Sequence, residues 1–308
     1  MIHDPLVRLD ALTQAKLSTW VDQAKPRTQW GRLPDYIPRL AQIDASILAV
    51  NIQTTTGQEF LAGAGEQRFA LMSVIKPFVL LFLLERSGAE EVFKYVGTQP
   101  SDQPFHSLTQ LSVDRGFPRN PMINSGAIAL GARLPGKDGA TRCEHLRQWL
   151  NQSAGSQLAL DRAILESVCS LSNESNRAIA KMLSQAGKLE GVEVALDTYN
   201  HICCLSGTVA DLARLGLLLA QRSIIAPSHQ RMVNALMLTC GLYEASGQVA
   251  VRVGLPTKSG VSGALLAIVP HQGSIACYSP AIDPTGNSVA GMFLLEKLAT
   301  SLDLSIFG

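Results

Sequence analysis

Aromatic residues are scarce, at 6% of 308 residues, so the core must be built mainly from Leu, Ala, Val and Ile. Charge of one sign is also missing. Twenty-six Lys and Arg face 25 Asp and Glu, for a net charge of +1 and no long basic block. That balance argues against nucleic acid or an anionic membrane as the main partner. Long hydrophobic runs are absent too. The most apolar stretch, Pro77 to Leu84, lies between Lys76 and Glu85 and falls far short of the roughly 20 residues needed to cross a bilayer. The opening Met1-Ile2-His3-Asp4-Pro5 has neither the basic nor the apolar region of a secretory signal, which gives a cytoplasmic expectation. The six cysteines (Cys143, Cys169, Cys203, Cys204, Cys240 and Cys277) include no C-x-x-C pair. They fit reduced thiols better than a disulfide framework or a zinc site.

What is present is a globular composition, 46% hydrophobic and 17% charged. At roughly 100–200 residues per domain, the length implies two domains or one large domain with an insertion. Residues 5–24 carry Leu6, Leu9, Leu12, Leu17, Trp20 and Val21 at helical spacing, and Pro26 should stop that helix. Ser46–Gln53 and Gln58–Ala62 read as a hairpin across Thr54-Thr55-Thr56-Gly57. A helix from Ser73 should end at Ser87-Gly88. From Glu90 to about Arg222 the pattern is helices and loops, with 97–126 read as one long irregular stretch. Asn176–Leu183 reads as helix, and Thr208 to Asp211 as a capping box opening another. Strands are expected at Val249–Val253, Ala264–Val269 and Ser274–Ser279, and a last helix at Val289–Leu302. Strands at both ends and helices between predict an α/β chain of the α+β type. Residues 1–85 and 225–308 would form a sheet-containing domain, 86–224 a helical one, and the active site would lie between them.

Ser73 and Lys76 are three residues apart at an expected helix start, where positions i and i+3 share a face. A serine hydroxyl needs a nearby base to become a nucleophile. Lysine can be that base only if burial beside apolar neighbours lowers its pKa, and Val79 to Leu84 supply such neighbours. An ordinary alternative makes Ser73 an N-cap and Lys76 a solvated first-turn residue. Three further features bear on the choice: Asn124 in its Asn-Pro-Met-Ile-Asn loop, Tyr243 in Gly241–Gly247, and Lys258-Ser259-Gly260 at a strand start. Tyr243 could pass a proton between Ser73 and a leaving group. Lys258 supplies positive field, and the amides of Ser73 and Val261 are candidate oxyanion donors. Each has a bland reading: a helix cap for Asn124, core for Tyr243, a solvated cation for Lys258. Early S-x-x-K together with late K-[ST]-G on a strand is much rarer than either alone.

With these residues the chain resembles the bacterial serine-dependent glutaminases, relatives of the serine β-lactamases and penicillin-binding proteins. The resemblance runs from Asp35-Tyr36-Ile37-Pro38 to the C-terminal helix. It is strongest in Gly116–Ile128, with Pro118-Arg119-Asn120-Pro121 and Asn124, and in Tyr243–Gly247, Lys258–Val261 and Ile268-Val269-Pro270. Ser279-Pro280 and Gly286–Gly291 fit as well. The resemblance implies a β-lactamase/transpeptidase-like fold, a mainly antiparallel sheet flanked by helices with a helical insertion. It also implies a homodimer or homotetramer, and hydrolysis of L-glutamine to L-glutamate and ammonia through an acyl-serine without metal or cofactor. By position, it makes Ser73 the nucleophile and Lys76 its base, with Asn124, Asn176, Tyr199, Tyr243 and the Val261 backbone on the substrate. Tyr36 matches a tyrosine near the pocket.

The departures gather at the pocket. Met72 stands where the family has Gln, Ile75 where it has Ser, and Phe105-His106 where it has Phe-Asn; Cys203-Cys204 replaces Cys-Ser. Met72 and Ile75 make the surroundings more apolar, which should lower the Lys76 pKa further. Cys169 occupies the position, seven residues before Asn176, of a glutamate expected to hold the substrate α-amino group. A charge-assisted bond of that kind is worth about 1.5–3 kcal/mol, and a neutral thiol cannot supply it. Glu166 or Glu174 could take its place. Otherwise the substrate is another amide or ester without a free α-amine, or the chain is a catalytically weak homologue that binds a small ligand.

Overall fold

Period-2 alternation builds the centre of the molecule. The computed structural model describes residues 8–101, 103–104, 106–221 and 225–308. Among them are eight strands: β1 (Ala49–Thr54), β2 (Glu59–Gly63), β3 (Phe69–Ala70), β4 (Ala159–Leu160), β5 (Leu205–Gly207), β6 (Thr257–Ser259), β7 (Ala264–Val269) and β8 (Gly273–Tyr278). The main sheet has the order β2-β1-β8-β7-β6 and is antiparallel at every pairing. A small second sheet, β3-β5-β4, lies apart from it.

Successive strand side chains point to opposite faces. Val50, Ile52, Leu265, Ala267, Val269, Ile275 and Cys277 therefore share one face of the main sheet, where they pack with the helices Gln14–Ala24 and Val289–Leu302. Ala49, Leu266, Ile268, Ala276 and Tyr278 belong to the other face and to a larger core. The helix Val209–Ala220 covers that second face. It comes close because Gly216 has no side chain: a Cβ there would sit 2.6 Å from the Ser274 Cβ. The Ser274 hydroxyl donates to the Ala213 carbonyl at 2.7 Å and fixes the approach.

The apolar run after Lys76 is explained by burial on all sides. Every residue from Pro77 to Leu84 is buried in the helix Lys76–Val92. That helix packs against Pro227–Cys240, Asn124–Gly131 and Gly139–Ala154, with Phe82 edge-on to Trp149. Each such side chain contributes about 1.5–3 kcal/mol on leaving water. Lys76 is thus anchored at the start of a fully buried run of the core.

Several expectations hold: β7 and the last helix at the expected bounds, the Thr208/Asp211 capping box fully formed, and the β1–β2 hairpin and β8 with bounds shifted by one to three residues. Others need correction. The expected helix over 5–24 is a 3-10 turn at Arg8–Ala11 followed by a helix from Gln14, because Thr13 caps the backbone N–H of Lys16. Residues 5–7 of that reading lie outside the described residues, as do Phe105 and Arg222. Gly88 does break its helix, at φ 78°, but a further helical turn continues to Val92. The stretch 97–126 contains a helix, Leu108–Val113, capped by Ser107. Val249–Val253 is not a strand: Ser246–Arg252 is a helix, entered through Tyr243 at positive φ, with the Ser246 hydroxyl accepting from the Leu242 amide at 3.0 Å.

Candidate active site

Ser73 lies in a 3-10 turn, Met72–Ile75, that runs directly into the helix beginning at Lys76. A 3-10 turn has three residues per turn, so positions i and i+3 eclipse one another. This stacks Lys76 on Ser73 more directly than an α-helix would, and the Lys76 amide donates to the Ser73 carbonyl. Met72 enters the turn at φ 47° and Tyr243 sits at φ 56°. Left-handed backbone at non-glycine residues costs on the order of 1–3 kcal/mol each and tends to be stored at functional sites.

Both members of the expected pair are buried, and Lys76 is only 1% exposed. The Lys76 amine donates to the Asn124 side-chain oxygen at 2.8 Å and to the Met122 carbonyl at 3.2 Å. Asn124 is the first residue of the helix Asn124–Gly131, whose N-cap is Ile123, so it does not serve as the cap. Its oxygen also accepts the Tyr199 hydroxyl at 2.9 Å, and its amide donates to the Asn176 oxygen at 3.0 Å. Lysine, tyrosine and two asparagines thus form one connected buried network. Burial lowers the Lys76 pKa to about 8, since desolvation disfavours the charged amine. Burial is also the largest cause pushing Tyr199 well above the ordinary phenol range, and it pushes Cys203 up to about 11, so both stay neutral.

The sheet brings the second group. The strand β6 pairs Lys258 with Leu266 of β7, and cross-strand partners share a face. Lys258 therefore shares the sheet face that carries the larger core. It is fully buried, its amine donates to the Ser259 carbonyl at 2.6 Å, and it lies 4.5 Å from the Tyr243 ring centroid. Desolvation, and then the charge of Lys76, lower its pKa well below the ordinary lysine value. The Tyr243 hydroxyl is hydrogen-bonded to the Ser73 side chain and lies 3.4 Å from the Ser259 carbonyl. Burial raises the Tyr243 pKa to about 12 against the lowering effect of those bonds, which keeps it a proton donor.

Past β6 the chain passes close to Ser73. A Cβ on Gly260 would meet the Leu71 carbonyl oxygen at 2.7 Å and the Ser73 amide at 3.3 Å, so only glycine allows this approach. Val261 follows and lines the cavity in front of Ser73. Its amide has no acceptor among the described residues, which leaves it available to an oxyanion.

That cavity, about 370 Å³, opens onto Ser73 between Tyr36, Met72, Asn124, Asn176, Tyr199 and Val261. Seven of the eight residues singled out from sequence, all but Lys258, either line it or are bonded to a residue that does; Lys258 lies against the Tyr243 ring. Cys169 does not line it. Its exposed thiol accepts from the Asn200 amide at 3.8 Å, and burial of that thiol's surroundings raises its pKa. Glu174 does line it, and Glu166 does not. The sequence marks Cys203 only as a departure from the family pattern, not as a partner of Tyr199, to which its side chain is bonded. It carries no sign of the Met122 carbonyl that shares Lys76, because a backbone oxygen has no residue type.

Buried amine, serine, phenol and free amides around one cavity make a constellation for acyl transfer. Comparison with known proteins points the same way. The family described as Glutaminase matches residues 31–307. A glutaminase of Synechocystis sp. is 44% identical over 292 residues, covering 94% of this chain and 89% of that protein. A probable glutaminase from Bacillus subtilis, solved complexed with 6-diazo-5-oxo-L-norleucine, superposes with a TM-score of 0.87 at 31% identity, covering 96% of this chain and 97% of that one. A covalent complex between a Bacillus subtilis glutaminase and 5-oxo-L-norleucine, formed by reaction with the same diazo compound, gives 0.85 at 31% identity and covers 96% and 99%.

Proposed function

The chain belongs to the glutaminase family and has its β-lactamase-like fold, and we propose that it hydrolyses L-glutamine to L-glutamate and ammonia with Ser73 as nucleophile. The observation that carries this reading is the placement of the Ser73 hydroxyl against Tyr243, one turn from a buried Lys76 whose pKa is lowered to about 8.

In the first step the neutral Lys76 amine takes the Ser73 proton as Oγ attacks the side-chain amide carbon. The carbonyl oxygen becomes an oxyanion held by the Ser73 and Val261 amides. Tyr243 then delivers a proton to the departing nitrogen, the C–N bond breaks, and ammonia leaves a γ-glutamyl ester on Ser73. Lys258, over the Tyr243 ring, eases the transient loss of the phenol proton, which the proton held on Lys76 restores. Water, deprotonated by the same groups, attacks the ester; glutamate leaves and Ser73 recovers its proton. Asn124, Asn176 and Tyr199 hold Lys76 and one wall of the cavity.

This reading places the site in the cleft between a sheet-containing domain of residues 1–85 and 225–308 and a helical domain of residues 86–224. The first would supply Ser73, Lys76, Tyr243, Lys258 and Val261; the second would supply Asn124, Asn176 and Tyr199. A homodimer or homotetramer in the cytoplasm completes the proposal, and light scattering on the purified chain tests the assembly. No helix of the described residues is long and apolar enough to cross a membrane.

The decisive test is ammonia release from L-glutamine by the wild type and by Ser73→Ala, with mass analysis of the Ser73 peptide after treatment with 6-diazo-5-oxo-L-norleucine. Release by the wild type alone, with adduct mass on Ser73, is expected. An unmodified Ser73 peptide and no ammonia above buffer would sink the proposal.

A further inference from the structure

Glutamine carries an ammonium and a carboxylate at the end remote from its reacting amide. A pocket that selects the free amino acid needs an anion facing that ammonium. Cys169 cannot provide one, since its thiol is neutral, bonded to Asn200 and outside the cavity lining. Among the residues lining the cavity there is one carboxylate, Glu174, and no lysine, arginine or histidine.

We propose that Glu174 holds the substrate's α-ammonium and sets the preference for a free α-amino acid over other primary amides. This inference rests on the glutaminase reading above and names the residue that makes the same pocket specific. Glu174 is exposed, so its carboxylate is reachable, and no ion pair engages it among the described residues. It is therefore free to take a cation from outside.

Its position is also fixed relative to the reacting atoms. Asn173 adopts a left-handed conformation, φ 42°, and turns the chain into the helix Glu174–Gln185. Asn173, Glu174, Ser175 and Asn176 all line the cavity. Asn176 accepts from Asn124, and Asn124 holds the Lys76 amine. Glu174 is thus two residues along its helix from Asn176, which is tied through Asn124 to the Lys76 amine. Replacement of the expected glutamate by Cys169 has accordingly moved the charge to the next helix without removing it from the pocket.

The test compares L-glutamine with glutaramate, the same side-chain amide without the α-amine, in the wild type, E174Q and E174D. The wild type should favour glutamine in kcat/KM by at least tenfold. E174Q should raise KM for glutamine about 10- to 100-fold, the range expected for one charge-assisted bond, and leave kcat/KM for glutaramate within about twofold. The preference then disappears. E174D, which keeps the charge on a shorter arm, should retain part of it. Introducing Cys169→Glu into E174Q should restore it. Unchanged preference in E174Q, with glutamine still hydrolysed, overturns the role of Glu174 and leaves the glutaminase reading standing. If E174Q loses both substrates, E174D decides: retained preference supports the proposal and its loss overturns it. A wild type that cleaves glutaramate but not glutamine overturns both.

Discussion

The Lys76 amine lies 2.8 Å from the Asn124 side-chain oxygen, and that oxygen simultaneously accepts the Tyr199 hydroxyl. A neutral amide therefore does the holding where a carboxylate would form a salt bridge. The difference matters because an adjacent anion raises an amine's pKa, whereas an amide positions the amine with far less stabilisation of its charge. Asn124→Asp should move the Lys76 pKa upward. The alkaline-rising limb of kcat/KM would shift by about one unit or more, and activity at neutral pH would fall about tenfold. An unmoved limb would show that Lys76 is not the titrating base.

In the wild type itself, kcat/KM should rise with pH and level off above about 8, where Lys76 loses its proton. The same group affects stability with a definite sign. Its folded pKa lies below the ordinary 10.5, so between about 8 and 10.5 the unfolded chain binds the extra proton. The contribution of Lys76 to unfolding free energy should therefore rise with pH across that window. Lys76→Arg cannot deprotonate in this range, and its kcat should be near background at every pH. Rate–pH profiles of both proteins check this.

Tyr243→Phe keeps the ring beneath Lys258 and removes only the hydroxyl on Ser73. The expected loss is about 10²- to 10⁴-fold in kcat, the range for one positioned proton-transfer group. KM and the thermal midpoint should change little. A change confined to KM would make Tyr243 a binding residue only.

Gly260→Ala should damage both folding and rate. Its Cβ would sit 2.7 Å from the Leu71 carbonyl oxygen, so either the strand end or the turn bearing Ser73 must move. Overpacking of this kind costs about 1–3 kcal/mol, readable by urea denaturation. Because the displaced segment continues into Val261, kcat should fall more than the stability loss accounts for. Wild-type kinetics in the folded variant would show that the approach to Ser73 is not needed.

What could be read in the sequence was whatever rests on local spacing. Ser73 and Lys76 sit three apart, Thr208 and Asp211 likewise, and β7 and β8 are short apolar runs bounded by glycine. Val249–Val253 misled because Val249, Val251 and Val253 alternate as strand residues do. The helix there is imposed by Tyr243 at positive φ and by the Ser246 hydroxyl on the Leu242 amide, neither of which is a periodic signal. The two-residue strands β3 and β4 are too short to leave a pattern. At the site, residue types could be named from motifs, but the division of labour could not. That Lys76 is held by Asn124, and that Tyr243 reaches Ser73, depends on contacts between segments more than 40 residues apart. Glu174 rather than Glu166 lining the cavity is likewise a matter of where the left-handed Asn173 turns the chain.

The pairing of β1, residues 49–54, with β8, residues 273–278, also governs when the molecule comes into being. During synthesis the Ser73 helix emerges early, while the tyrosine and the strand that complete it follow some 170 residues later. Contacts so distant in sequence must close a long loop before they return any stability, which makes them late and slow. An incomplete chain thus carries a buried-to-be lysine beside a serine with no phenol, no second amide donor and no finished sheet. Until the segment from Tyr243 to Tyr278 has been made, Ser73 lacks the partners that the proposed chemistry requires of it.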